Sequence, residues 1–127
     1  MAEKCILVIE DNELNMKLVR ALLKIGKYQV LEAVNAETGI QLTRKHRPDL
    51  VLMDIQLPDM DGLRATQIIK EDSEVKDIPV VAITSYAMQG DKQKAIEAGC
   101  VGYMSKPIDT RSFLETISQF LKRDSDE

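Results

Sequence analysis

The chain has 127 residues, enough for one domain and too few for two, and its 44% hydrophobic and 30% charged side chains exclude the low-hydrophobicity, high-charge pattern of disorder. A net charge of −4 with no Lys/Arg block excludes an electrostatic footprint for nucleic acid or an anionic membrane surface. The opening stretch MAEKCILVIEDN holds one short apolar run before an acidic pair, short of a secretory or membrane-spanning segment, so a cytoplasmic location is expected.

Five apolar runs rich in Val, Ile and Leu recur at Cys5–Ile9, Val30–Ala33, Leu50–Met53, Pro79–Ile83 and Val101–Met104, as strands buried on both faces should. Helical periodicity fills the intervals. After the first run, Leu14, Leu18, Ala21, Leu22 and Ile25 form a stripe, with Asn12 placed to cap the start and Gly26 to supply a left-handed end. The second helix is predicted from Ala36 to about His46, between Asn35 as N-cap and Pro48, with His46 solvated at its end. The third runs from about Gly62 to Glu71 with Leu63, Ile68 and Ile69 inward. The fourth, from about Ala87 to Ala98, stops at Gly99 and is polar, with Gln89, Asp91, Lys92, Gln93 and Lys94. In the fifth, Asp109 is the expected cap and Phe113, Leu114, Ile117, Phe120 and Leu121 the stripe, before the tail KRDSDE.

Repeated β–α alternation needs right-handed crossovers and a parallel sheet covered on both faces. The predicted fold is therefore α/β, a doubly wound five-stranded parallel sheet with five helices, in one domain with its core at about 4–122 and a charged tail at 123–127. Cys5 and Cys100 have no CxxC spacing and His46 is the only histidine, so two reduced thiols and no zinc-type cluster are expected.

In such a sheet, ligands sit at the carboxyl ends of the strands. The residues there are Glu10 and Asp11 after the first strand, Asp54 closing the third, Thr84 after the fourth and Lys106 after the fifth. Two unit negative charges about 4 Å apart repel by roughly 4 kcal/mol at an effective dielectric near 20, so three carboxylates at one edge call for a cation. The donors are all oxygen, which favours Mg²⁺ over zinc. An aspartate with a divalent metal, an ammonium and a hydroxyl around it is suited to accept a phosphoryl group as an aspartyl phosphate. Each of these residues alone is commonplace in a loop or helix start; the joint placement carries the inference.

In order and spacing, ILVIEDN, DLVLMDIQLPDMDG, VVAITSYA and GYMSKPI resemble the receiver domains of two-component response regulators, the CheY-like group. EDNELNMKL and PDLVLMDIQLP are similar to stand-alone receivers of the DivK type. The resemblance implies the flavodoxin-like strand order 2-1-3-4-5. It implies Asp54 as phosphoacceptor, Asp11 as direct metal ligand, Glu10 supporting the ion through water, and the Gln56 carbonyl as a further ligand. Thr84 resembles the switch hydroxyl, Lys106 the lysine that pairs with the phosphoryl oxygens, and Tyr103 the aromatic switch. The Lys106–Pro107 bond is expected to be cis. Glu10 stands where an aspartate is common, and Ser85 where many receivers have alanine. Gln56 and Tyr86 fall at the positions that govern water's access to the phosphoryl group, with Tyr86 expected to lengthen its lifetime.

The function implied is a phosphorylation switch. A histidine kinase or histidine phosphotransfer protein donates to Asp54, and the surface of the fourth helix, fifth strand and fifth helix, including Lys92, Ala95, Tyr103 and Ser105, changes for a downstream protein or for weak self-pairing of an otherwise monomeric chain. Leu14, Asn15, Leu18 and Pro107 are candidate kinase contacts by the same resemblance. No output domain fits after Leu121, so the domain acts alone or is a segment of a larger hybrid kinase or regulator. A turnover phosphatase of the aspartyl-phosphate kind is disfavoured because Gln56 stands where such enzymes need a second carboxylate. A binding module that has lost the chemistry is disfavoured by the full acidic set.

Overall fold

The computed structural model describes residues 3–85 and 89–125, without the side chains of 89–91 and 123–125. The chain alternates β1 (Cys5–Ile9), α1 (Glu13–Ile25), β2 (Gln29–Ala33), α2 (Ala36–His46), β3 (Leu50–Asp54), α3 (Gly62–Glu71), β4 (Val80–Thr84), α4 (Gln89–Ala98), β5 (Gly102–Ser105) and α5 (Phe113–Ser125). All strand pairs are parallel and the order is β2-β1-β3-β4-β5, the doubly wound arrangement expected.

Strand side chains alternate between two faces, and each face has its own core. Leu7, Ile9, Val51 and Met53 pack with Ala36, Ile40, Ala65, Ile69 and Ala95 under α2, α3 and α4. Ile6, Val8, Leu50 and Leu52 pack with Met16, Val19, Leu23, Phe113 and Ile117 under α1 and α5. Since β3 and β4 are buried along their whole length, their sequences read as unbroken apolar runs.

Several local expectations shift. The buried stripe of α1 is Met16, Val19 and Leu23; the predicted stripe points outward, with Leu14 78% and Ile25 70% exposed and only Leu22 packed against the core. Helix α1 has two apolar faces, and periodicity alone cannot rank them. Its left-handed residue is Lys27 (φ 66°), not Gly26 (φ −78°). The N–H groups of Tyr28 and Lys27 reach back to the carbonyls of Leu23 and Lys24, a Schellman turn one residue later than the glycine suggests. Gly26 serves packing instead: a Cβ there would lie 2.8 Å from Leu114 and 2.9 Å from Tyr28.

Asp109 caps a turn, its carboxylate accepting the Arg111 N–H, and α5 starts at Phe113, where the Thr116 N–H bonds to the Ser112 carbonyl. Pro79 precedes β4, but its carbonyl accepts the Val51 N–H. Gly99 (φ 110°) ends α4 as expected, while Ala87, the predicted start, lies outside the described residues. Among the described residues, no helix is long and apolar enough to cross a membrane. Both cysteines are free, and burial raises their pKa.

Candidate functional site

The sheet order brings the ends of β1, β3, β4 and β5 to one edge. Glu10 and Asp54 are only 4% and 3% exposed, Thr84 is also buried, and Asp11 faces solvent. Glu10, Asp11 and Asp54 each offer an oxygen within 4.8 Å of the others. Strand pairing explains the convergence: Asp54 pairs with Ile83, and Thr84 with Ser105, so Asp54 sits one step from Thr84 and two from Lys106.

Lys106 bridges the two buried carboxylates. Its Nζ lies 2.9 Å from Glu10 Oε1 and 3.0 Å from Asp54 Oδ2. The other oxygens take backbone donors, with the Gln56 N–H giving to Asp54 Oδ1 at 2.9 Å and the Asn12 N–H to Glu10 Oε2 at 3.1 Å. No buried side-chain oxygen or nitrogen is left without a partner among the described residues. That answers how an aspartate can end an apolar strand: each of its oxygens accepts a hydrogen bond, one of them from a cation.

Electrostatics separates the groups. Burial, then a hydrogen bond with Asp54, pushes the Glu10 carboxyl up to about 7 against the opposing pull of Lys106 and the Asn12 N–H. Burial works against the Lys106 charge, but Glu10 and Asp54 outweigh it and hold the ammonium's pKa above its ordinary value. With all three acids ionised, one ammonium leaves the cluster negative. An all-oxygen donor set of this charge fits a hard divalent cation.

The loop after β3 is closed at its base, where the Gly62 N–H donates to the Ile55 carbonyl at 2.8 Å and Gln56 bridges Asp61. The sequence pattern marks Gly62 only as a helix start. Its role here is close approach: a Cβ would overlap the Asp54 carbonyl oxygen and come within 2.8 Å of Ile55 Cα. The glycine of LPDMDG, following the aspartate of a strand end, was the available signal.

Other expected positions divide. The Lys106–Pro107 bond is cis. Tyr103 is half-buried between two clefts of about 280 and 300 Å³. Lys92 and Ser105 are exposed, but Ala95 is fully buried against the α2–α3–α4 core and is no surface contact; its small side chain lets α4 lie close. Leu14, Leu18 and Pro107 are exposed and Asn15 half-buried. Tyr86 lies outside the described residues.

The family model described as the response regulator receiver domain matches residues 6–118. The polar-differentiation response regulator DivK of Brucella anthropi is 47% identical over 118 residues, covering 93% of this chain and 96% of that protein. The DivK of Brucella ovis is 45% identical over the same spans. A CheY-like receiver domain protein from Methanospirillum hungatei superposes with a TM-score of 0.90 at 26% identity, over 98% of each chain. The receiver domain of a sensor histidine kinase from Pseudomonas aeruginosa, with a magnesium ion coordinated in its active site cleft, gives a TM-score of 0.87 at 29% identity over 95% of this chain and 99% of that one.

Proposed function

Because the chain belongs to the response regulator receiver family and is DivK-like, we propose that it is a phosphoryl-accepting switch that a histidine kinase or histidine phosphotransfer protein loads on Asp54. The observation that carries this reading is the buried Asp54 carboxylate, fixed by Lys106 on one oxygen and by the Gln56 N–H on the other. An Asp54 oxygen attacks the phosphorus of the phosphohistidine; a P–O bond forms, the P–N bond breaks, and the imidazole leaves with the electron pair and takes up a proton. Lys106 transfers part of its hydrogen bonding from the carboxylate to the phosphoryl oxygens, where charge-assisted bonds are strong.

Asp11 and Asp54 would hold Mg²⁺ directly, with the Gln56 carbonyl, and Glu10 would support it through water. Bound there, Mg²⁺ would neutralise the acids and draw charge from the phosphoryl oxygens. The magnesium-containing relative supports this assignment. The protein turns over no substrate of its own beyond gaining and losing this group.

Thr84, at the end of β4, is the hydroxyl that turns to the phosphoryl group, and Tyr103 on β5 fills the space behind. The α4–β5–α5 face then presents a changed surface to a downstream protein in the cytoplasm, or to a second copy in a weak phosphorylation-dependent dimer. Helix α4 suits this motion: of its described side chains only Ala95 and Ala98 are buried, so little apolar area holds it. The unit is one receiver domain, acting alone or as a segment of a larger hybrid kinase or regulator.

Mass spectrometry after incubation with acetyl phosphate and Mg²⁺ tests the reading. One phosphoryl group on the wild type and none on Asp54→Asn is the expected result; an unmodified wild type would overturn it in favour of a non-phosphorylated binding module.

A further inference from the structure

The loop that follows Asp54 is held at a second point, far from its base. Both oxygens of Asp59 accept backbone N–H groups from the first turn of α2, Oδ1 from Ala36 at 2.8 Å and Oδ2 from Glu37 at 3.0 Å. Those N–H groups are among the unpaired donors at a helix start. The next one, on Thr38, is already taken by the N-cap Asn35 at 2.8 Å. Asp59 therefore does more than cap a helix, because it comes from 23 residues away in the chain.

Helix α2 is a firm anchor. Gly39 lets it rest directly on Ile9, where any Cβ would overlap the isoleucine side chain. At its other end Arg44 pairs with Asp72 at 2.7 Å and Arg47 with Asp77 at 3.2 Å. The two hydrogen bonds hold the Asp59 carboxyl below the usual aspartate range, so the tether is ionised at neutral pH. Between the base closure at Ile55 and Gly62 and this second anchor lies Gln56, whose N–H holds Asp54.

We propose that Asp59 is a positioning residue for the phosphoryl site, fixing the Gln56 backbone by tying its loop to the first turn of α2. The proposal rests on the reading of the site as a metal-dependent phosphoacceptor. Residues that orient metal ligands from outside the ligand set typically change affinity by about 10–100-fold when lost. Asp59 acts one step further out, so a loss of about threefold or more is expected.

The experiment is amide NMR on the full chain, with amide exchange of Gln56 measured without metal and Mg²⁺ affinity by titration. Asp59→Ala should speed Gln56 exchange and weaken Mg²⁺ binding about threefold or more. Asn35→Ala, which opens the same helix end without touching the loop, should leave both near wild type, and Asp59→Asn, whose amide oxygen can accept only one of the two N–H groups and whose NH2 faces the other, should fall between wild type and Asp59→Ala in Gln56 exchange. Unchanged Gln56 exchange in Asp59→Ala, or equal weakening by Asn35→Ala, would each overturn the tether. Failure of the wild type to bind Mg²⁺ would instead sink the reading of the site itself.

Discussion

The Lys106 N–H donates to the Thr84 carbonyl over 2.7 Å, so the ammonium and the hydroxyl that flank Asp54 hang from backbones joined by one hydrogen bond. The end of β4 and the start of the segment after β5 are thereby joined without an intervening side chain.

The protein without Mg²⁺ is expected to lose stability between about pH 5 and pH 8. The Glu10 carboxyl is raised from 4.5 to about 7 on folding, so its contribution is complete below the unfolded value and disappears as pH rises through the folded one, a change of about 2–3 kcal/mol. The raised Lys106 and the lowered Asp59 and Asp72 titrate outside this window. Urea melts across the range should show the decline, and Glu10→Gln should flatten it. A flat wild-type profile would refute the assignment.

Removing the bridging ammonium should be costly. Lys106→Ala strands two buried carboxylates that share one cation, and breaking a largely buried pair this way costs about 2–4 kcal/mol. Asp54→Asn, which relieves repulsion, should be at least as stable as wild type in metal-free buffer. Thermal melts should rank the two variants in that order, with Mg²⁺ recovering part of the Lys106→Ala loss; the reverse order contradicts the electrostatic account.

Thr84→Ala should uncouple the surface from the site. With beryllium fluoride and Mg²⁺ in place of the phosphoryl group, wild-type amide shifts should extend along α4 and β5 to Ser105. In the variant they should be confined to the loops around Asp54, although Asp54 remains occupied. The size of such coupling is about 1–3 kcal/mol. Equal spread in both proteins would eliminate Thr84 as the relay.

Gly62→Ala should damage the site through backbone displacement. The added methyl group would overlap the Asp54 carbonyl oxygen, and overpacking of this kind typically costs about 1–3 kcal/mol. Denaturant unfolding measures the loss, and weaker Mg²⁺ binding should accompany it. An alanine variant of native stability would show that the loop yields easily.

Much of this architecture was legible in the sequence because β1, β3 and β4 are buried on both faces, and such strands write themselves as apolar runs. The acidic cluster was legible for the same reason: Glu10 and Asp54 interrupt those runs where only chemistry or a turn can explain charge. The outward face of α1 was misread since Leu14, Leu18 and Ile25 are as apolar as the buried Met16, Val19 and Leu23, and only packing decides between them. Ala95 was misplaced because the polar neighbours on α4 hide a buried small residue. Asp59 escaped notice because its partners, Ala36 and Glu37, lie far away in sequence and contribute only backbone N–H groups, which no residue pattern records.

The end of α1 gives the molecule an uneven tolerance to change. Gly26 occupies a position where its missing side chain is filled by Leu114 and Tyr28, while the adjacent left-handed position belongs to Lys27. Evolution could relieve the backbone at residue 27 by a single change, since Lys27→Gly removes a penalty of about 1 kcal/mol for a left-handed non-glycine residue. A larger residue at 26 would instead press on the ends of the Leu114 and Tyr28 side chains, which must swing aside to admit it. One neighbour is thus strained by its own backbone and the other is crowded by side chains, one of them from a helix nearly ninety residues away in the chain.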